Sequence, residues 1–381
     1  MKQKLQIVAD EAIPFLRGVL EPYAEIHYLP GEQISNQNIK QADALLVRTR
    51  TNCNLSLLQN TAVQMVATAT IGMDHLDTDF LRKAGIHFTN APACNAGSVV
   101  QYIIAVLLEI AKKKSLRLKD LTLGIVGVGN IGSQVFEVVK HLGVKTLLCD
   151  PPKKDAELIE NAVSLDFICQ YSDIITFHTP LTRQGKYPTY HLLNHSALSL
   201  LKKNAWIINA ARGEVIDGQA LLEALKNRIC SGAVLDVWEN EPKIDQNLLQ
   251  NVFIATPHIA GYSLDGKANA TEQVVRQVAH FFDIPELKNF KVTSLPLTTP
   301  IQVKFSKEQS FEEQLHFIFK QSYDILLDDA FLRKNPDKFE VYRKKYPVRR
   351  EALAYTLHLE GALPETIEFV KFMGFNVVVE N

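Results

Sequence analysis

The stretch Gly124-Ile125-Val126-Gly127-Val128-Gly129-Asn130-Ile131-Gly132 follows a short β-branched run and opens a helical pattern. The spacing G-x-G-x-x-G says little by itself. Set between a strand and a helix, it predicts a turn that receives a diphosphate. Gly127 permits the tight turn, Gly129 lets the backbone approach the diphosphate, and Gly132 lets helix and strand touch. The first N–H groups of the helix, at Asn130 and Ile131, offer partial positive charge to the phosphates. Asp150 ends the next strand, 18 residues beyond Gly132. A carboxylate there accepts hydrogen bonds from ribose hydroxyls and repels a 2′-phosphate, which favours NAD over NADP. Lys153 and Lys154 stand close enough to leave weak NADP use open.

Downstream of this turn the chain alternates strands and helices. The predicted strands are 122–126, 145–148, 174–177, 205–209, 232–236 and 253–255, six in all, as a dinucleotide-binding sheet requires. Upstream, a first series is predicted at 5–9, 25–29, 44–47, 63–68 and 87–89. Alternation of this kind implies βαβ units and parallel sheets covered on both faces. Residues 99–112 form a helical pattern apolar on most of its surface, which predicts a buried helix. Two segments punctuated by Pro and Gly, 91–97 and 257–261, cross between the series, and a helix over 264–282 folds back onto the first.

The expected architecture is therefore α/β. A Rossmann NAD-binding domain (96–258) is inserted in a flavodoxin-like substrate domain (1–95 and 259–285). Beyond 285 the pattern changes. A Thr- and Pro-rich linker covers 291–300. Then Phe311, Leu315, Ile318, Phe319 and Ile325 recur at helical spacing, and Leu353, Tyr355, Leu357 and Leu359 alternate like a half-buried strand. Pro364 opens a last helix, Gly374 closes it, and 375–379 is a final strand. Residues 286–381 thus make a third, small α+β domain.

Composition bounds the function. The 381 residues are 46% apolar and 22% charged, with 41 Lys plus Arg against 42 Asp plus Glu, for a net charge of −1. A body so nearly neutral is not built as a whole to hold nucleic acid or an anionic membrane. Asp10 and Glu11 break the N-terminal apolar run before it reaches signal-peptide length, and the longest apolar stretch, 99–111, is too short to span a bilayer. The five cysteines (53, 94, 149, 169 and 230) are scattered and form no Cys-x-x-Cys pair, so they read as reduced core thiols and not as a metal site. A cytoplasmic protein without metal is expected.

Three polar groups follow late strands of the second sheet. Arg212 follows 206–211, Glu241 follows 234–238, and His258 follows 254–257. The carboxyl ends of strands in an open α/β sheet form the ligand crevice, so all three are expected to face one cleft. Oxidising an alcohol with NAD removes a hydride from carbon and a proton from oxygen. Imidazole suits the proton step, a carboxylate beside it fixes its tautomer, and a guanidinium grips a carboxylate with two parallel hydrogen bonds.

The order of these motifs resembles the D-isomer-specific 2-hydroxyacid dehydrogenases. It runs from G-x-G-x-x-G and Asp150 through His178-Thr179-Pro180-Leu181-Thr182 and Asn209-Ala210-Ala211-Arg212-Gly213. It continues through Asp236-Val237-Trp238-Glu239-Asn240-Glu241-Pro242 to Pro257-His258-Ile259-Ala260-Gly261. The stretches at 148–152, 185–192 and 258–267 are similar to a branch acting on a phosphorylated 2-hydroxy acid. The resemblance implies a homodimer held by the C-terminal domain. It implies Arg212, Glu241 and His258 as catalytic residues and Asp150, Thr179, Asp236 and Gly261 as NAD contacts. It also implies Thr49, Thr70 and Tyr262 as substrate contacts. Thr49 stands where the family usually has Ser, and Gln101 where Glu is common. A 3-phosphoglycerate or other 2-hydroxyacid dehydrogenase is the neighbouring reading, and an NAD-sensing binding protein of the same fold is a third. Closure about the two crossing segments is expected to exclude water.

A phosphorylated substrate needs cations. Residues 331–350 hold eight basic residues against Asp337 and Glu340, a local balance of +6. Arg349 or Arg350 is expected to reach the cleft of a partner subunit and bind the phosphate, with Arg48 helping from within the chain.

Overall fold

The computed structural model describes residues 4–293 and 295–380. Residues 1–3 and 381, at the ends of the expected domains, and Ser294 of the expected linker lie outside the described residues. Contacts divide the chain into two units, Met1–Asn95 with Ser263–Pro296, and Ala96–Tyr262 with Leu297–Asn381.

The first unit carries β1 (Leu5–Asp10), β2 (Ala24–Leu29), β3 (Ala44–Val47), β4 (Met65–Thr68) and β5 (His87–Thr89). They form one parallel sheet in the order β2-β1-β3-β4-β5. Every residue of β3 and β4 is buried, as central parallel strands require. The period of two sorts their side chains. Ile7, Ala9, Leu46 and Ala67 share one cluster with Val274, Val275 and Val278 of the helix Leu264–Phe281. Val8, Leu45, Val47 and Val66 share the other with Leu57, Leu58 and Leu81. That helix starts where the Ser263 hydroxyl accepts the Gly266 N–H at 2.8 Å, an N-cap that satisfies an orphan donor.

The second unit continues with β6 (Thr122–Val126), β7 (Lys145–Cys149), β8 (Ile174–Phe177), β9 (Trp206–Asn209), β10 (Gly232–Leu235) and β11 (Ile254–Ala255). Their order is β11-β10-β9-β8-β6-β7, all parallel. The order reverses once, between β6 and β8, and that is where such sheets bind ligands. The six-strand sheet of the common dinucleotide-binding order has a third strand outside β7. Here that edge is reduced to one backbone bond, Val163 N–H to the Leu148 carbonyl at 2.8 Å. Leu123, Ile125, Ile208, Val234 and Ile254 face one side with the helices Ala96–Lys114 and Asn130–His141. Ile175, Phe177, Ile207, Ala233 and Leu235 face the other.

The same unit holds β12 (Ile301–Lys304), β13 (Thr356–Glu360) and β14 (Asn376–Glu380), a parallel sheet in that order. β12 was not foreseen, because only Val303 of its four residues is buried and the strand begins directly after the linker's last proline. The helical spacing from Phe311 to Ile325 resolves into two helices, Phe311–Ser322 and Ile325–Lys334. Asp324 ends the run and caps the second helix by accepting the Leu326 N–H at 3.1 Å. These helices explain the all-round burial of Ala96–Lys114. One side meets the sheet, and on the other Glu109 sits 2.7 Å from His316 of Phe311–Ser322.

All five cysteines are buried free thiols. Among the described residues no helix is long and apolar enough to cross a membrane, and no group of three or more metal-ligating side chains assembles.

Candidate active site

Each of the three glycines in the turn does a different job. Gly127 has φ +87°, and a Cβ there would meet the His178 carbonyl carbon at 2.8 Å. The turn after β6 therefore lies directly against the segment after β8, at the reversal of strand order. A Cβ on Gly132 would meet the Gly127 oxygen at 2.0 Å, so helix and turn touch only because the side chain is absent. A Cβ on Gly129 would meet nothing within 4 Å. Packing does not demand glycine at 129; an approaching ligand does. The helix Asn130–His141 starts here with Gly129 as a cap that has no side chain, which leaves its first N–H groups, Asn130 and Ile131 among them, without a capping side chain.

Asp150 follows β7 and braces the same turn. One oxygen accepts the Val128 N–H at 2.9 Å and the other the Lys153 N–H at 3.1 Å. The Lys153 ammonium donates back to the Val128 carbonyl at 2.5 Å. After β8, the Thr179 hydroxyl and His178 Nδ1 are buried and find no partner among the described residues. Buried polar atoms are normally satisfied, so two such atoms beside an open glycine turn fit a bound dinucleotide. Burial pushes the His178 imidazole down to about 4, which keeps the ring neutral.

Arg212, Glu241 and His258 follow β9, β10 and β11, three adjacent strands. Gly213 is what brings the first two loops together. A Cβ there would meet the Trp238 carbonyl carbon and oxygen at 2.0 Å. The Arg212 guanidinium donates to the Ala211 carbonyl at 2.7 Å, and Asn209 ties the loop by donating to the Arg212 carbonyl at 2.9 Å. Glu241 Oε2 lies 2.7 Å from His258 Nδ1, while Oε1 accepts the Trp238 N–H at 2.9 Å. The Trp238 indole N–H in turn donates to the Thr256 carbonyl at 3.0 Å. Burial would raise the Glu241 carboxyl. The charge and hydrogen bond of His258, the Trp238 N–H and the charge of Arg343 outweigh it and hold the group below the usual carboxylate range.

His258 itself has φ 56°, the left-handed region, where a non-glycine residue is strained by about 1–3 kcal/mol. Asp236 holds it there. This carboxylate is 1% exposed. Its oxygens accept the Thr256 hydroxyl at 2.6 Å, the Ile259 N–H at 2.8 Å and the Ala260 N–H at 2.9 Å, and its carbonyl accepts the His258 N–H at 2.7 Å. The family resemblance implies Asp236 as a cofactor contact, and nothing in these bonds excludes it. Its contacts in the chain make it the anchor of the loop that carries His258, Gly261 and Tyr262.

In the first unit, Thr49 and Arg48 follow β3, and Thr70 follows the adjacent β4. Thr49 is exposed. Arg48 donates to the Ala12 carbonyl at 3.0 Å. Thr70 shares a 2.8 Å hydrogen bond with Thr68, and Thr68 a 2.9 Å one with His75. Sequence reasoning gave no role to Lys267 on the helix Leu264–Phe281. Burial and the charge of Arg48 push its ammonium below the usual lysine range, which marks two cations held near each other.

The reading of Arg349 and Arg350 requires correction. Arg349 is 5% exposed and donates to the Ser98 carbonyl at 2.6 Å, the Ala260 carbonyl at 3.2 Å and Gln101 Oε1 at 3.1 Å, with its guanidinium 3.7 Å from the Tyr323 ring centre. Arg350 is 8% exposed. Neither is an arm extended to another subunit; both are folded into their own chain. Gln101, where the family commonly has Glu, is the acceptor that receives Arg349. A different member of the basic stretch, Arg343, lies 5.4 Å from the Tyr262 ring centre.

The family described as D-isomer specific 2-hydroxyacid dehydrogenase, NAD binding domain, matches residues 108–260, and a domain of unknown function (DUF3410) matches 295–370. An erythronate-4-phosphate dehydrogenase of Bacteroides fragilis is 45% identical over 93% of this chain and 99% of the relative. One of Pseudomonas putida is 39% identical over 98% of this chain and 100% of the relative. Among solved structures, D-lactate dehydrogenase from Aquifex aeolicus, complexed with NAD and lactic acid, is similar at TM-score 0.61 and 28% identity. It covers 76% of this chain and all of that one.

Proposed function

The chain belongs to the D-isomer-specific 2-hydroxyacid dehydrogenases, in their erythronate-4-phosphate branch, and on that premise we propose that it oxidises 4-phospho-D-erythronate to 2-oxo-3-hydroxy-4-phosphobutanoate. The reading assigns it a step in vitamin B6 (pyridoxal 5′-phosphate) biosynthesis.

The observation that carries it is the 2.7 Å contact of His258 with Glu241 on the sheet that bears the glycine turn. Bound NAD supplies the hydride acceptor at its nicotinamide C4. The glycine turn, Asp150 and Thr179 hold that cofactor. His258 accepts the proton of the C2 hydroxyl through Nε2, since Nδ1 is engaged by Glu241. The C2–H and O–H bonds break and the C2–O bond becomes a carbonyl. Glu241, held below the usual carboxylate range, supports the imidazolium that forms. Arg212 grips the substrate carboxylate and draws charge from the reacting oxygen. Thr49, Thr70 and Tyr262 are the substrate contacts that the family resemblance implies.

A cytoplasmic homodimer is part of the same reading. Five buried free thiols suit a reducing compartment. In the C-terminal domain Phe372, Val378 and Val379 are exposed on the last helix and edge strand, apolar surface of the kind that subunit interfaces cover.

NADH formation followed at 340 nm tests the proposal. Purified protein should turn over 4-phospho-D-erythronate with a higher kcat/KM than 3-phospho-D-glycerate or D-lactate, and should prefer NAD to NADP. A preference for another acid, or NAD binding without turnover of any, would contradict it.

A further inference from the structure

We infer that Arg343 reads the phosphate of the substrate from within the same chain, an assignment that rests on the proposed function. The basic stretch offers eight cations, and the structure disposes of most of them. Arg333 is spent on Asp329 and on the carbonyls of Leu249, Val252 and Phe253. Arg349 and Arg350 are buried in their own chain. Lys334, Lys338, Lys344 and Lys345 are exposed.

Arg343 differs from all of these. Its guanidinium lies 5.4 Å from the ring centre of Tyr262, four residues after His258. Its charge is felt by Glu241. Within the chain it donates Nη1 to Glu340 Oε1 at 2.9 Å, while Nε is buried and meets no acceptor among the described residues. A desolvated guanidinium donor without an acceptor is costly unless a ligand oxygen meets it.

The side chain also sits on a fixed support. Tyr342 and Tyr346 flank it in sequence, and their hydroxyls donate to the two oxygens of Asp328 at 2.6 and 2.8 Å. The Tyr323 hydroxyl donates to the same carboxylate at 2.9 Å, and Asp328 is 4% exposed. Tyr346 also meets Tyr262 edge to face, with ring centres 5.9 Å apart. A cation held rigidly beside an aromatic substrate contact, with donor capacity to spare, suits a planar grip on phosphate oxygens.

The test compares wild type, R343K and R343M in the full-length protein. R343M should raise KM for 4-phospho-D-erythronate about 10–100-fold, the usual cost of a lost charge-assisted contact, and R343K should recover part of the loss. With D-erythronate, the same acid without phosphate, R343M should lose at least about tenfold less than it loses with 4-phospho-D-erythronate. Inorganic phosphate should raise the melting temperature of wild type and leave that of R343M unchanged. This readout needs no turnover, so it decides the role of Arg343 even if the substrate reading fails. Equal losses on both acids, with phosphate stabilising both proteins alike, would make Arg343 a support for Glu241 and overturn the assignment.

Discussion

His258 meets Glu241 at 2.7 Å from a backbone turned into the left-handed region at φ 56°. The strain is local and the restraint is not. Asp236, 22 residues earlier, binds the backbone of three successive residues from 258 to 260. A buried carboxylate thereby fixes the direction of an imidazole that it does not touch.

Removing that imidazole separates chemistry from binding. His258→Ala should lower kcat by about 10²–10⁴-fold, the range of a positioned proton acceptor. NADH affinity, measured by fluorescence titration, should be retained. A matching loss of NADH binding would make His258 a cofactor residue instead.

Arg212→Lys keeps the charge and loses the fork. A point charge cannot make two parallel bonds to a carboxylate, so kcat/KM should fall about 10–100-fold. Steady-state kinetics reads this directly, and a change within twofold would show that charge alone suffices.

The glycines separate folding from cofactor binding. Gly129→Ala has room for its methyl, so the melting temperature without cofactor should match wild type while the Kd for NAD rises at least about tenfold. Gly132→Ala drives a methyl to within 2.0 Å of a carbonyl oxygen and should lower the melting temperature itself. Equal melting temperatures for the two variants would sink this distinction.

Two imidazoles set part of the pH dependence of stability. Burial pushes His75 and His178 from 6.5 down to about 4. Between those values the unfolded chain takes up protons that the folded chain refuses. Stability is therefore lost as pH falls from about 6.5 towards 4, by up to about 3 kcal/mol for each ring. Urea titrations at stepped pH should show the fall, and His75→Gln should flatten it. An unchanged slope in that variant would exclude His75.

The strand series and the cofactor turn were legible because both follow from local rules. Continuous apolar runs mark buried parallel strands, and Gly127 and Gly132 answer steric needs visible from spacing. That Arg212, Glu241 and His258 follow three adjacent strands was legible from the strand order. Asp236 was assigned by resemblance to the cofactor. Its backbone partners are not encoded in side-chain type, so its grip on the 256–260 loop could not be read. The basic stretch was noticed, but charge alone does not say which side chains turn inward. Arg349 and Arg350, the expected phosphate ligands, are buried in their own chain, while Arg343 entered only through the local charge balance. The signal that separates them is the flanking pair Tyr342 and Tyr346, which points to a fixed support only once the buried Asp328 is known.

The claim on which the account rests is that hydride leaves C2 of the acid while His258 takes the hydroxyl proton. Oxidation of 4-phospho-D-erythronate carrying deuterium at C2, followed by mass spectrometry of the NADH formed, tests it most directly. The account predicts one deuterium at C4 of the nicotinamide for every turnover. NADH free of deuterium, or no NADH at all, would contradict it.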